Sequence, residues 1–129
     1  MRSVKPGKPA TEPTLFRAQN ITRGVTLAEQ GIVADTSAAR RAGLLGCSEF
    51  ASGNALWIVP CECIHTFGMK FAIDAVFLSR KRTVVKIVSG LRKRRIALAW
   101  AHSVIELPAG TIASTNTRIG DQLVLERRV

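Results

Sequence analysis

From Leu15 onward, apolar positions come in short runs separated by Gly, Pro and polar clusters, the pattern of a strand-rich chain. The segments at 15–19 and 24–33 are short and broken by Gly24 and Gly31, and they predict strands joined by turns. Asp35 and Thr36 offer side chains for a helix N-cap, and Ala38, Ala39, Arg40 and Arg41 are good helix formers. Gly43 and Gly46 can end that helix, so one short helix is predicted over 36–43. The continuous apolar run at 55–59, stopped by Pro60, predicts a buried strand. The clearest strand is 73–78, apolar except for Asp74. A polar turn at 79–82 and a returning strand at 83–88 make it a hairpin. Residues 61–72 and 91–102 are predicted connections. A strand at 103–107 ends at Pro108 and Gly110, 111–116 can form one helical turn, and 122–126 is a last strand with Leu123 and Leu125 on one face. Pro6, Pro9 and Pro13 with Gly7 exclude helix and central strand from the first residues. The prediction is a flexible arm at 1–14, made basic by Arg2, Lys5 and Lys8, followed by a single domain at 15–129. The fold class is α+β and β-dominated: one compact domain, open or closed into a small β-barrel, with one or two short helices.

Composition sharpens the class. The chain of 129 residues is 47% hydrophobic, enough for one packed core and too little chain for two. No apolar run reaches the roughly 18–20 residues of a bilayer-spanning helix. The basic, Pro-rich start has no apolar stretch behind it, unlike a secretory signal, so the expected compartment is the cytoplasm. Three cysteines, Cys47, Cys61 and Cys63, make no even disulfide framework and are expected as free thiols.

Charge is the strongest physical signal. Nineteen Lys and Arg against nine Asp and Glu leave a formal net charge of +10. Eight cations, Arg80, Lys81, Arg82, Lys86, Arg92, Lys93, Arg94 and Arg95, fall in one stretch without an acidic residue. If 73–88 is a hairpin, its turn and the following loop are both positive and lie along one edge. Such an edge suits nucleic acid, an anionic membrane surface or an acidic protein. Tyr is absent, aromatic content is 5%, and no common nucleic-acid-binding motif is present, so a base-stacking platform is poorly supplied. The structural alternative is a solvated edge whose cations block strand-to-strand association.

Several separated strings carry a resemblance: ALWIVPC at 55–61, IHTFGMKFAIDAVFL at 64–78, SVIELPAG at 103–110, GDQL at 120–123 and AGLL at 42–45. In this order they resemble the family known as domain of unknown function 192, over roughly residues 15–127. The resemblance implies a compact β-rich fold of the kind that can form a small barrel, with one or two short helices, and it implies no established activity. Ala72 stands where the family pattern has Pro, and the stretch 92–97 is more basic than the pattern and lacks its Pro.

Cys61, Cys63 and His65 form the sharpest local cluster. Thiolate and imidazole are natural zinc ligands, and on an extended chain all three side chains face one way. The spacing is unlike that of structural zinc sites, and a fourth ligand would have to come from His102 or elsewhere. Small thiols facing a core are the plainer reading. A cysteine nucleophile with a histidine base is the enzymatic version, without a surrounding catalytic signature. His65, Thr66, Gly68 and Met69 form a candidate ligand-binding loop, with Asp74 just beyond it. The structural alternative is that the loop bonds to itself and that Asp74 anchors backbone N–H groups. Glu106 reads as an outward-facing strand residue and Asp121 as a turn residue, with no catalytic role for either. No cofactor motif is present and none is expected. The leading expectation is a non-catalytic binding or accessory domain whose basic edge meets a polyanion or acidic partner. An enzyme or metal site at Cys61, Cys63, His65 and Asp74 and a structural interaction module are the alternatives.

Overall fold

The computed structural model describes residues 13–128. The expected basic arm therefore lies outside the described residues except for Pro13 and Thr14, and Thr14 already opens the first strand. Among the described residues the elements run β1 (Thr14–Asn20), β2 (Val25–Ala34), α1 (Ser37–Ala42), β3 (Asn54–Ile58), β4 (Cys63–His65), β5 (Ile73–Leu78), β6 (Val84–Leu91), β7 (Ile96–Leu98), β8 (Ser103–Pro108), α2 (Thr111–Thr115) and β9 (Leu123–Arg128).

Seven strands form one sheet in the order β6-β5-β8-β3-β2-β1-β9, and β4 with β7 forms a separate two-stranded ribbon. All neighbours in the large sheet are antiparallel except β2 and β3. A parallel pair needs a crossover, and α1 with the loop behind it supplies one. Thr36 caps that helix as its type predicts, its Oγ1 accepting from the Ala39 N–H at 3.1 Å.

The sheet curls but does not close. Its edge strands β6 and β9 meet only at their starts, through a Thr83–Gln122 bridge. Val84 N–H donates to Asp121 O at 2.9 Å and Leu123 N–H to Arg82 O at 3.0 Å beside that bridge. Of the open and closed forms the sequence allowed, the open one is found.

Side chains alternate across the sheet, and both faces are covered. One face packs Phe16, Trp57, Val76, Leu78, Ile105 and Leu107 with Ile112 of α2. The other packs Leu56, Ile58, Phe77 and Val104 under Leu44, Ile64 and Met69, which come from the chain after α1 and from the β4 region. Gly31 is the residue paired with Phe16 across β1 and β2, and a Cβ there would strike the Phe16 ring.

The stretch 91–102, expected as a loop, contains β7. Within β7 the larger apolar residues are outside: Ile96 and Leu98 are exposed and Ala97 is buried. This inverts the rule by which an apolar position marks a core position, and so hides the strand.

Candidate functional site

Three regions hold the residues with chemical potential: the β4–β7 ribbon, the clamp at Asp74, and a cleft beside α1.

Cys61, Cys63 and His65 all border the cleft beside α1 but form no metal-binding group. Only Cys63 and His65 belong to β4, where they point outward, paired across the ribbon with Leu98 and Ile96. Cys61 precedes the strand, is half-buried, and donates from Sγ to the Cys63 carbonyl at 3.2 Å. Burial pushes its thiol pKa up. The imidazole of His102 lies in the field of Arg82 and Arg80, and burial first, then those cations, holds its pKa down. Among the described residues no group of three His, Cys, Asp or Glu side chains is arranged to hold a metal ion.

The loop after β4 joins the ribbon together. Thr66 is fully buried. Its Oγ1 donates to Arg92 O at 2.6 Å and accepts from Arg95 N–H at 2.8 Å, while its own N–H donates to Arg95 O at 2.9 Å. Thr66 thus fixes the basic loop 92–95. Gly68 has φ +83°, a conformation that favours glycine, and Met69 is buried against the core. His65 and Phe67 hold their rings 5.8 Å apart on the outside.

Asp74 lies on the face of β5 shared with Val76 and Leu78, opposite the face that Cys61 approaches. It accepts three backbone N–H groups: Gly90 at 2.8 Å, Gly110 at 3.1 Å and Ile112 at 2.8 Å. Every one of these bonds ties β5 to another part of the chain.

Seven of the eight cations separate into two groups at the ends of the edge strand β6. Arg80, Lys81 and Arg82 sit at the β5–β6 turn, where the Arg82 guanidinium lies 4.7 Å from the Trp57 ring centroid. Arg92, Lys93, Arg94 and Arg95 follow its other end, roughly 25 Å away for eight residues of strand. All four are exposed. Lys86 lies within β6 between the two groups, its Nζ donating to Leu98 O of β7 at 2.7 Å. Beside the second group, Ile96 and Leu98 are 59% and 61% exposed, Phe67 48%, and Trp100, two residues past the strand, 95%.

The cleft lies between α1 and the start of β4. It encloses about 640 Å³, with Leu44, Ile58 and Met69 among its walls, Arg40 and Arg41 on the α1 side and Glu106 within. Glu106 is in β8, flanked by Leu56 of β3 and Ala75 of β5. It is 3% exposed, and its Oε1 has no hydrogen-bond partner. Burial alone raises its pKa from 4.5 to about 7. The sequence reading missed this residue because a Glu between Ile105 and Leu107 looks like a solvent-facing position. The only clue in the sequence was that β8 is apolar on both sides of it, as a central strand covered on both faces is.

The DUF192 family, described as an uncharacterized ACR, matches residues 19–125, and the chain belongs to it. No curated protein matches the chain. Two solved structures are similar. One, from Novosphingobium aromaticivorans DSM 12444, is described as a protein of unknown function. It is 19% identical, with TM-score 0.74 over 92% of this chain and 94% of that one. The other, from Sinorhizobium meliloti 1021, is described as a putative transcription regulator. It is 19% identical, with TM-score 0.76 over 92% of this chain and 97% of that one. At that identity the likeness establishes the fold.

Proposed function

We propose that this member of the DUF192 family is a non-catalytic binding domain that docks on an anionic membrane surface through the outer face of the β4–β7 ribbon. The observation that carries the reading is Trp100, 95% exposed, in continuity with exposed Leu98 and Ile96 and with the four exposed cations at 92–95. Exposed apolar side chains grouped together mark an interaction surface, whereas scattered ones do not. Tryptophan favours the headgroup level of a bilayer, and each Lys or Arg near an anionic leaflet adds about 1 kcal/mol. The aliphatic Ile96 and Leu98 have no stacking partner on a nucleic acid but suit acyl chains, which decides between the two polyanions.

The chain has two tryptophans, and Trp57 is buried, so a change in emission on binding reports Trp100. The test is titration with vesicles of equimolar phosphatidylglycerol and phosphatidylcholine. A blue shift is expected that is absent with pure phosphatidylcholine and weakens with salt. Replacing residues 92–95 by Ser is expected to lower binding by up to about a thousandfold, and Trp100→Ser to remove the blue shift. Equal binding to neutral vesicles, or none to anionic ones, overturns the reading. Salt-sensitive binding to RNA or DNA probes without vesicle binding would make the partner a nucleic acid.

A further inference from the structure

The cleft beside α1 is a second site, which meets the ribbon at Cys63 and His65 and takes in none of Ile96, Leu98, Trp100 or the cations at 92–95. We infer that it binds a small amphipathic acid, whose anionic end meets Arg40 and Arg41 and whose far end donates a hydrogen bond from an amino or hydroxyl group to the carboxyl of Glu106. Three observations on the chain converge on that chemistry.

The floor comes first. Glu106 lines the cleft, and its Oε1 is buried and accepts nothing from the protein. A buried acceptor left unmatched costs about 1–3 kcal/mol, and a ligand donor placed there recovers that loss on binding. Asp74 and Asp121, the other buried acids, are already matched by protein donors, which singles out Glu106.

The rim comes second. Arg40 and Arg41 stand in the last turn of α1. Arg40 donates from Nη1 to the Asp35 carbonyl and pairs with no acid among the described residues. A plain cation that matched Glu106 would be repelled on its way past these two guanidiniums. A ligand with an anionic end is attracted by them instead.

The walls and size come third. Leu44, Ile58 and Met69 give an apolar passage between floor and rim, and about 640 Å³ is in the range of small-molecule sites. The charged and titratable groups that share the walls with Glu106 are Arg40 and Arg41 of α1, Cys61 and Glu62 of the preceding turn, and Cys63 and His65 of β4. Of the two acids in these walls Glu62 is exposed and Glu106 is buried, so Glu106 is the acceptor at the inner end.

The test uses isothermal titration of the full chain, without vesicles, against ε-aminocaproate, ω-hydroxycaproate, hexanoate and hexylamine. Expected is binding of at least one of the first two, and binding about tenfold weaker or worse for hexanoate, which lacks the donor, and hexylamine, which lacks the anion. An amino ligand gains affinity from pH 5 to pH 8 as Glu106 ionises, whereas a hydroxyl ligand does not, which separates the two donors. Glu106→Leu abolishes the preference over hexanoate, and Arg41→Ala, on an exposed helix position, weakens every acid about equally. Equal affinity for hexanoate and the donor-bearing acids, no binding of either by the wild type, or unchanged binding in a folded Glu106→Leu protein overturns the inference. None of these outcomes bears on vesicle binding by the ribbon.

Discussion

Glu106 shows what a single residue carries at this site. A carboxyl with a pKa near 7 binds a proton in the folded chain that the unfolded chain has already released above pH 4.5. The folded state therefore gains stability at low pH and loses it as pH rises from about 4.5 to about 7. The window corresponds to about 3 kcal/mol, an upper figure because the site opens to the cleft. Urea unfolding at pH 5 and pH 8 is expected to show the wild type less stable at the higher pH and Glu106→Gln flat across the interval. An equal slope in both proteins would mean that another group titrates. Apart from its apolar neighbours in β8, Glu106 looks in the sequence like an ordinary surface glutamate, since its environment is built by β3, β5 and the chain around Cys61, up to fifty positions away. Asp74 was easier to read. An acid inside an otherwise apolar strand demanded partners, and the anchoring alternative describes where its three bonds go.

Asp74 belongs equally to the scale of elements, because it is the point where β5, the end of β6 and the start of α2 are joined. Asp74→Ala leaves three N–H donors without their acceptor while the strand around it stays apolar. The expected loss is about 3 kcal/mol in urea unfolding, most of it from the buried Ile112 N–H. A loss below about 1 kcal/mol would show that solvent replaces the carboxylate. Among the elements, α1, β3, β5 and β8 were legible, because each has a strong local signal: a cap, a breaker after an apolar run, or a turn at its end. The ribbon was not. β4 and β7 have three residues each, too short for periodicity, and β7 turns its larger apolar side chains outward. Its pairing with β4 joins residues more than thirty positions apart, and Thr66 holds it by bonds to Arg92 and Arg95.

At the scale of the whole molecule, the curled sheet is pinned where its two edges meet. Asp121 sits at that corner. Its carboxylate accepts from Asn20 at 2.9 Å, Arg23 at 3.0 Å and the Arg118 N–H at 2.9 Å. The hydrogen bond from Arg23 first, then those from Asn20 and Arg118 against the cost of burial, lower its pKa from 3.8 to about 2. A depressed carboxyl contributes stability above its unfolded value and loses it as pH falls through the folded one. Acid unfolding is therefore expected to have a limb between about pH 4 and pH 2 that Asp121→Asn removes. Persistence of that limb in the variant, followed by circular dichroism, would assign it to other carboxyls. The net charge of +10 adds repulsion as the acids protonate, so the same limb should steepen at low salt.

The sequence by itself determined the strand-rich class, the short capped helix, the buried strands at 55–59 and 73–78, the family and the excess of positive charge. These are properties of composition and of neighbours within a few positions, where hydrophobic period, caps and breakers act. Only the tertiary structure decided that the sheet stays open, that seven of the eight clustered cations divide between the two ends of β6, and that Glu106 is buried in a cleft. It also decided that Cys61 stays outside β4 while Cys63 and His65 share a face of it, with no metal-binding group among the described residues. Each of these outcomes depends on which strands become neighbours and what covers their faces. That is settled by contacts between distant segments, and no local pattern records them.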